Sequence, residues 1–225
     1  MADNTGGRLA IRVSSRARRI ALRIDPVERK VELILPAGVS TSEGLRFAAV
    51  KRGWIAARLA ALPTRAPFSE GAIVPVLGVP HSVRRENDVA APPVVVRDGE
   101  IRVRGGPEHV ARRVRDHLVA TARREFSMRA RALAARVDRK VARIAVRDTK
   151  SRWGSCSGRG NLAFSWRLIF APEWVIDYVV AHEVAHLVEM NHGTRFWRVV
   201  DSLSPNSASA RAWLKTHRNR LLSYG

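Results

Sequence analysis

The chain has a single cysteine, Cys156, among its 225 residues, so no disulfide can close within it and a reducing compartment is the natural setting. It is also poor in lysine. Lys30, Lys51, Lys140, Lys150 and Lys215 are all there are, so the net charge of +20 is carried almost wholly by arginine. No uninterrupted apolar run reaches bilayer length, because the longest are cut by Arg, Asp or Pro; this argues against a membrane span. The opening stretch MADNTGGRLAIRVSSRARRIALRI lacks the apolar core of a secretory signal, and a cytoplasmic location is the expectation. There is no internal repeat and no G-x-x-x-x-G-K-[ST] phosphate loop.

What is present suits a globular protein. A hydrophobic share of 46% and a charged share of 27% allow a core that needs no covalent staple. The arginine excess fits a high-GC genome as well as a polyanion partner, yet its positive field draws nucleic acid, nucleotides or acidic peptides whatever its origin. The densest run, residues 111 to 147, reads either as a solvated helix face or as a nucleic-acid footprint.

The fold class expected is α+β, with a mainly β region over residues 1–105 carrying one helix and a second domain over 106–225; the boundary is soft. RRIALRID and KVELILP alternate apolar and polar residues, and DPVE between them supplies a turn. A helix follows over TSEGLRFAAVKRGWIAARLAAL, capped by Thr41 or Ser42. AIVPVLG and PHSVRRE read as strands, and VVVRDGEIRVRG as a hairpin turning at Asp98-Gly99. Helical patterning runs from Pro107 to about Val137, with Val110, Val114, Leu118 and Phe126 facing the core. Alternation from Leu162 to Phe170 predicts a half-buried strand. A helix over 173–190 and two shorter ones, after Thr194 and after Ser207, complete the chain.

The chemistry concentrates in AHEVAHLVEMNHGTRFW, residues 181 to 197. His182 and His186 lie four apart, so on a helix both imidazoles project from one face and can reach one ion. Glu183 sits beside the first, where its carboxylate can hydrogen-bond a water on the metal instead of ligating it. H-E-x-x-H at this spacing predicts one Zn²⁺ and a general base. A hydrolytic zinc needs a third protein ligand and an open position. His192 is the best candidate, with Asn191 as a left-handed helix cap and Gly193 as a loose joint. Glu189 is the rival, or a residue that orients a ligand. Tyr178, one turn before His182, and Arg195 are the candidate oxyanion donors. Trp153 and Trp197 can line a pocket or simply pack, and Cys156 can ligate zinc in an inhibited state or simply fill space.

WGSCS, NLAFSWRLIFAP, IDYVVAHEVAHLVEMNH and the following FW resemble the YgjP-like metallopeptidase family, within the zincin group that includes SprT-like and Wss-type proteases. The resemblance covers roughly residues 148 to 200. It implies zinc ligands at His182, His186 and His192, Glu183 as catalytic base, a peptide or protein substrate, and a small sheet whose edge strand flanks the active-site helix. Metzincins share the ligand spacing but place glycine where this chain has Glu189, and no Met-turn signature is present. The expected function is zinc-dependent peptide hydrolysis through a metal-bound water activated by Glu183. The alternatives are a metal-dependent nucleoside triphosphate pyrophosphatase or phosphohydrolase, a nucleic-acid-associated protease, and a zinc-stabilised domain without activity. Residues Ala163 to Ile169 are the expected place for a peptide to add as a strand, with core pairing the simpler explanation for their large side chains.

Overall fold

A computed structural model describes residues 9–87 and 90–225. The chain divides into two compact units, one ending at Arg65 and one spanning Ala66–Gly225. The division falls earlier than position 105, because the later N-terminal strands bury their apolar faces in the same core as the helices that follow.

The first unit is a three-stranded sheet of β1 (Leu9–Ser14), β2 (Ala21–Asp25) and β3 (Lys30–Pro36) in the order β1-β3-β2. Alternation in β3 buries Val31, Leu33 and Leu35. Helices α1 (Thr41–Val50) and α2 (Arg52–Ala60) supply Ala48, Ile55 and Leu59 to the same small cores. One helix was expected here; the structure breaks it at Lys51, whose φ of −90° and ψ of 10° leave the helical region. The cap is Ser40, one residue earlier than expected, and its hydroxyl accepts from the Glu43 N–H at 3.2 Å.

The second unit begins with a four-stranded sheet: β4 (Ile73–Val76), β5 (Val79–Glu86), β6 (Val94–Arg97) and β7 (Glu100–Arg104), ordered β4-β5-β7-β6. Asp98 and Gly99 take φ of 54° and 72° in the β6–β7 turn, as a two-residue hairpin requires. A second such turn joins β4 to β5, with Leu77 at φ 53° and Gly78 at φ 84°. A leucine gives no sequence signal for this conformation. The turn is held from outside, because the Leu77 N–H donates to the Ile169 carbonyl at 2.7 Å.

Helix α3 (Pro107–Arg136) buries Val110, Val114, Leu118 and Phe126 as expected, with Ala122, Ala130 and Ala134. Many of its arginines are committed within the protein. Arg112 pairs with Asp116, Arg115 with Asp148, Arg129 with Glu173 and Asp177, and Arg136 donates to the Ser202 carbonyl.

A third sheet holds β8 (Arg143–Arg147), β9 (Gly154–Cys156) and β10 (Asn161–Ser165), with β10 in the middle, parallel to β8 and antiparallel to β9. The strand expected to run to Phe170 stops at Ser165, and Trp166–Phe170 form a 3-10 turn buried at all five residues. Arg167 explains the departure. Alternation assigns it to solvent, yet it is 3% exposed. Its guanidinium donates to Asp148 at 2.9 Å, to the Leu222 carbonyl at 3.3 Å and to the Tyr224 carbonyl. Partners more than fifty residues away thus turn a surface-patterned residue inward. Helices α4 (Glu173–Ala185), α5 (Thr194–Leu203) and α6 (Ser207–Ser223) follow. No described helix is long and apolar enough to cross a membrane.

The β4–β5 turn bears on the start of α4, since a Cβ on Gly78 would lie 2.7 Å from the Pro172 Cα, where a Cβ on Gly71 (φ 81°) would meet nothing within 4 Å. Gly71→Ala is expected to cost about 1 kcal/mol from the backbone alone. Gly78→Ala adds the clash and should cost about 3 kcal/mol. Denaturant unfolding of the two variants measures the difference, and equal losses would show that the contact with Pro172 carries no strain.

Candidate metal centre

Helix α4 is apolar on nearly every side. Val175, Ile176, Val179, Val180, Ala181, Val184 and Ala185 are all buried, so the helix is enclosed by core and its few polar groups stand out. Glu173 and Asp177 in its first turns pair with Arg129, and the remaining carboxylate and the imidazoles lie at its C-terminal end. His182 and His186 share a face one turn apart, and Glu183 is 6% exposed. The helix ends at Ala185, five residues short of the expected end. The chain tightens there into bonds from the Leu187 N–H to Val184 O and from the Val188 N–H to Ala185 O. This turn returns His192 to the helix. No left-handed cap is involved: Asn191 is not among the positive-φ residues, and Gly193 has φ −82° with open space where a Cβ would stand.

One ligand atom from each of His182, His186 and His192 lies within 4.8 Å of the others. The Nε2 atoms of His182 and His192 are 3.2 Å apart. Two nitrogens on a tetrahedral zinc, each at about 2.05 Å, stand about 3.3 Å from one another, so this pair already has the spacing of two ligands on one ion. His186 donates from Nδ1–H to the Glu189 carbonyl at 3.2 Å, which leaves its Nε2 for a metal. The His182 Nδ1 is buried and has no hydrogen-bond partner among the described residues. Beneath all three rings sits Phe196, fully buried on α5, with centroid separations of 4.9, 4.5 and 4.6 Å to His182, His186 and His192.

The electrostatics suit a cation. Burial, then the neighbouring His186 and His192, lowers the His182 pKa to about 4, so the ring is neutral at pH 7 as ligation requires. Burial likewise lowers His186, against the opposing Glu189 bond. Glu183 is raised to about 7 by burial, with Arg152 pulling the other way. The three imidazoles and the poised carboxylate fit a divalent metal with a base beside it.

The other expected residues are placed as follows. Tyr178 is buried, its ring 6.0 Å from that of His182, and burial raises its pKa, so the phenol keeps its proton. Glu189 is no ligand in this arrangement: its carboxylate accepts from the Asn191 N–H at 3.3 Å, and its carbonyl orients His186. Arg195 is exposed at the start of α5. Cys156 lies outside the ligand cluster, and burial raises its thiol to about 11, which keeps it protonated and a poor ligand.

Two features escaped sequence reasoning. Gly154 is the first: a Cβ there would come within 2.5 Å of Glu183 Oε1 and 2.6 Å of its Cγ, so glycine lets β9 lie directly on the base. The second is Arg211 on α6, whose guanidinium carbon stands 4.8 Å from the Trp197 ring centroid. WGSC hinted at the glycine by its Gly/Ser character; nothing in the spacing pointed to Arg211. The expected peptide-binding strand also needs correction. β10 is paired on both sides, so its backbone is taken. β8 and β9 are the edges, and β9 is the one against Glu183: Trp153 O and Ser157 N bond to β10, which by strand alternation turns the backbone groups of Gly154 and Cys156 outward.

Comparison with known proteins agrees with this geometry. No curated protein matches the chain. Among solved structures, the metallopeptidase zymogen of Pyrococcus abyssi abylysin is similar over 40% of this chain and 92% of its own, at 18% identity and a TM-score of 0.38. That likeness is too distant to carry an argument. None of these comparisons points to a nucleic-acid partner. The model of the YgjP-like metallopeptidase domain matches residues 18–217, which takes in both the three imidazoles and the strand beside Glu183, and the chain belongs to that family.

Proposed function

We propose that the protein is a zinc-dependent peptidase with His182, His186 and His192 as ligands to one ion and Glu183 as the catalytic base. The observation that carries the reading is the meeting of three imidazole ligand atoms within 4.8 Å beside a buried carboxylate whose pKa is near neutrality. When bound, the ion supplies Lewis acidity to the substrate carbonyl. The remaining work falls to the chain. Glu183 takes a proton from the attacking water and passes it to the leaving amide nitrogen. Its high pKa in the bare site suits the second step, and a nearby dication draws it down to suit the first. Tyr178, still protonated at neutral pH and with its ring 6.0 Å from that of His182, is the donor for the developing negative charge. The outward backbone groups of Gly154 and Cys156 receive the peptide as an added strand, which sets its carbonyl against Glu183.

The deciding experiment incubates the zinc-loaded protein with a mixed peptide library and, in parallel, with a nucleotide panel. Chelator-sensitive peptide cleavage is expected. Phosphate or pyrophosphate release with intact peptides would replace this reading by the nucleotide one. Metal analysis should find about one zinc per chain. Glu183→Gln should keep the metal and lose turnover by about a thousandfold; an unchanged rate would remove Glu183 from the chemistry.

Gly154→Ala is a second test of the same geometry. The added methyl must push the Glu183 carboxylate aside, so turnover should fall at least tenfold while zinc content stays constant. Full activity in this variant would mean that β9 does not fix the base.

The buried carboxylate also predicts a pH dependence in the metal-free protein. Glu183 titrates near 7 when folded and near 4.5 ordinarily. Between those values the folded state holds a proton that the unfolded state has lost, so the residue becomes a growing liability as pH rises. Glu183→Gln should therefore gain stability relative to the native chain from pH 4.5 to 7, by up to about 3 kcal/mol, and then level off. Paired unfolding curves across pH read this directly; a constant difference would contradict the burial argument.

A further inference from the structure

Helix α6 lays two arginines on two tryptophans at the candidate centre. The Arg211 guanidinium carbon is 4.8 Å from the Trp197 ring centroid, and that of Arg218 is 5.7 Å from Trp153. Seven residues separate them, two turns of helix, so they share a face. The rings stand on either side of the hydrolytic groups. Trp197 lies 5.9 Å from the His182 ring and 6.1 Å from His192, while Trp153 immediately precedes Gly154, which lies on Glu183.

The two cations are not equivalent. Arg218 donates to the Lys150 carbonyl at 2.5 Å and so holds the segment leading into β9. Arg211 is exposed and makes no ion pair among the described residues. Its stacking partner Trp197 lies 5.9 Å from the His182 ring and 6.1 Å from that of His192. Asp201, on the neighbouring helix, accepts from the Ser207 hydroxyl at 2.7 Å. Arg211 is thus a cation held over the Trp197 ring, and that ring borders the imidazoles of His182 and His192. A guanidinium held in this way loses little freedom when it grips a carboxylate.

We propose that Arg211, stacked on Trp197, pairs with a carboxylate of the substrate and selects acidic peptides with Asp or Glu near the bond that is cut. The proposal rests on the peptidase reading and names the substrate class for that same site.

The test uses the zinc-loaded full chain and matched peptide sets that differ only in carrying Asp/Glu, Asn/Gln or Lys/Arg beside the scissile position. Acidic peptides should be preferred by about tenfold in kcat/KM at low salt, and less at high salt. Arg211→Gln should bring the acidic-to-neutral ratio close to one, Arg211→Glu should invert it in favour of basic peptides, and Arg211→Lys should keep part of it. Binding without turnover gives a second readout: a labelled acidic peptide should bind Glu183→Gln about tenfold more tightly than it binds the Glu183→Gln/Arg211→Gln double variant. Cleavage with no acidic preference, or a preference untouched by Arg211→Gln and Arg211→Glu, would overturn the inference and leave the peptidase reading standing. Failure to cleave any peptide of any composition would overturn both.

Discussion

Burial of α4 on almost every side is the constraint from which the site follows. A helix with so little exposed surface can keep polar groups only where something else in the fold answers them: Arg129 does so for Glu173 and Asp177 near its start, and several elements do so at its end. His182 and His186 face Phe196 and His192, while Glu183 faces the backbone of β9. Excluding water from these groups does chemical work. It disfavours a proton on His182 and holds one near the Glu183 carboxylate, which would ionise fully on a solvated helix at pH 7.

The two partners of α4 come from opposite directions along the chain. Before it, β9 approaches closely because Gly154 has no side chain. After it, the sharp turn at residues 186–188 and the packing of Phe196 bring His192 back over the first two rings. Glu183 and the three imidazoles are thus set by different elements, one a sheet edge and the other a helix pair. A substitution in β9 can displace the Glu183 carboxylate with the imidazoles untouched.

Much of this was legible in the residues. The H-E-x-x-H spacing, the third histidine and the Asp98-Gly99 hairpin rest on local geometry, and local geometry is what a sequence displays. The misreadings share a different cause. Arg167 follows the alternation of a surface residue, but Asp148 and two distant carbonyls take it inside and end the strand. Leu77 adopts a turn conformation that leucine does not advertise, because Ile169 holds its N–H. The end of α4 was placed five residues late, since Val188 and Met190 continue an apolar pattern that the returning chain overrides. The close approach of β9 to Glu183 depends on tertiary packing that no periodicity contains.

The position of the Arg167 partners bears on the order in which the protein can be completed. A ribosome finishes the bend at Trp166–Phe170 and the whole of α4 well before it adds Leu222 and Tyr224, whose carbonyls take up two of that guanidinium's bonds. Until the last turn of α6 emerges, a charged head group in the bend has only Asp148 to satisfy it and is better left in water. The buried bend that leads into α4 is therefore closed only once residues 222–224 are in place, although everything else it packs against precedes them.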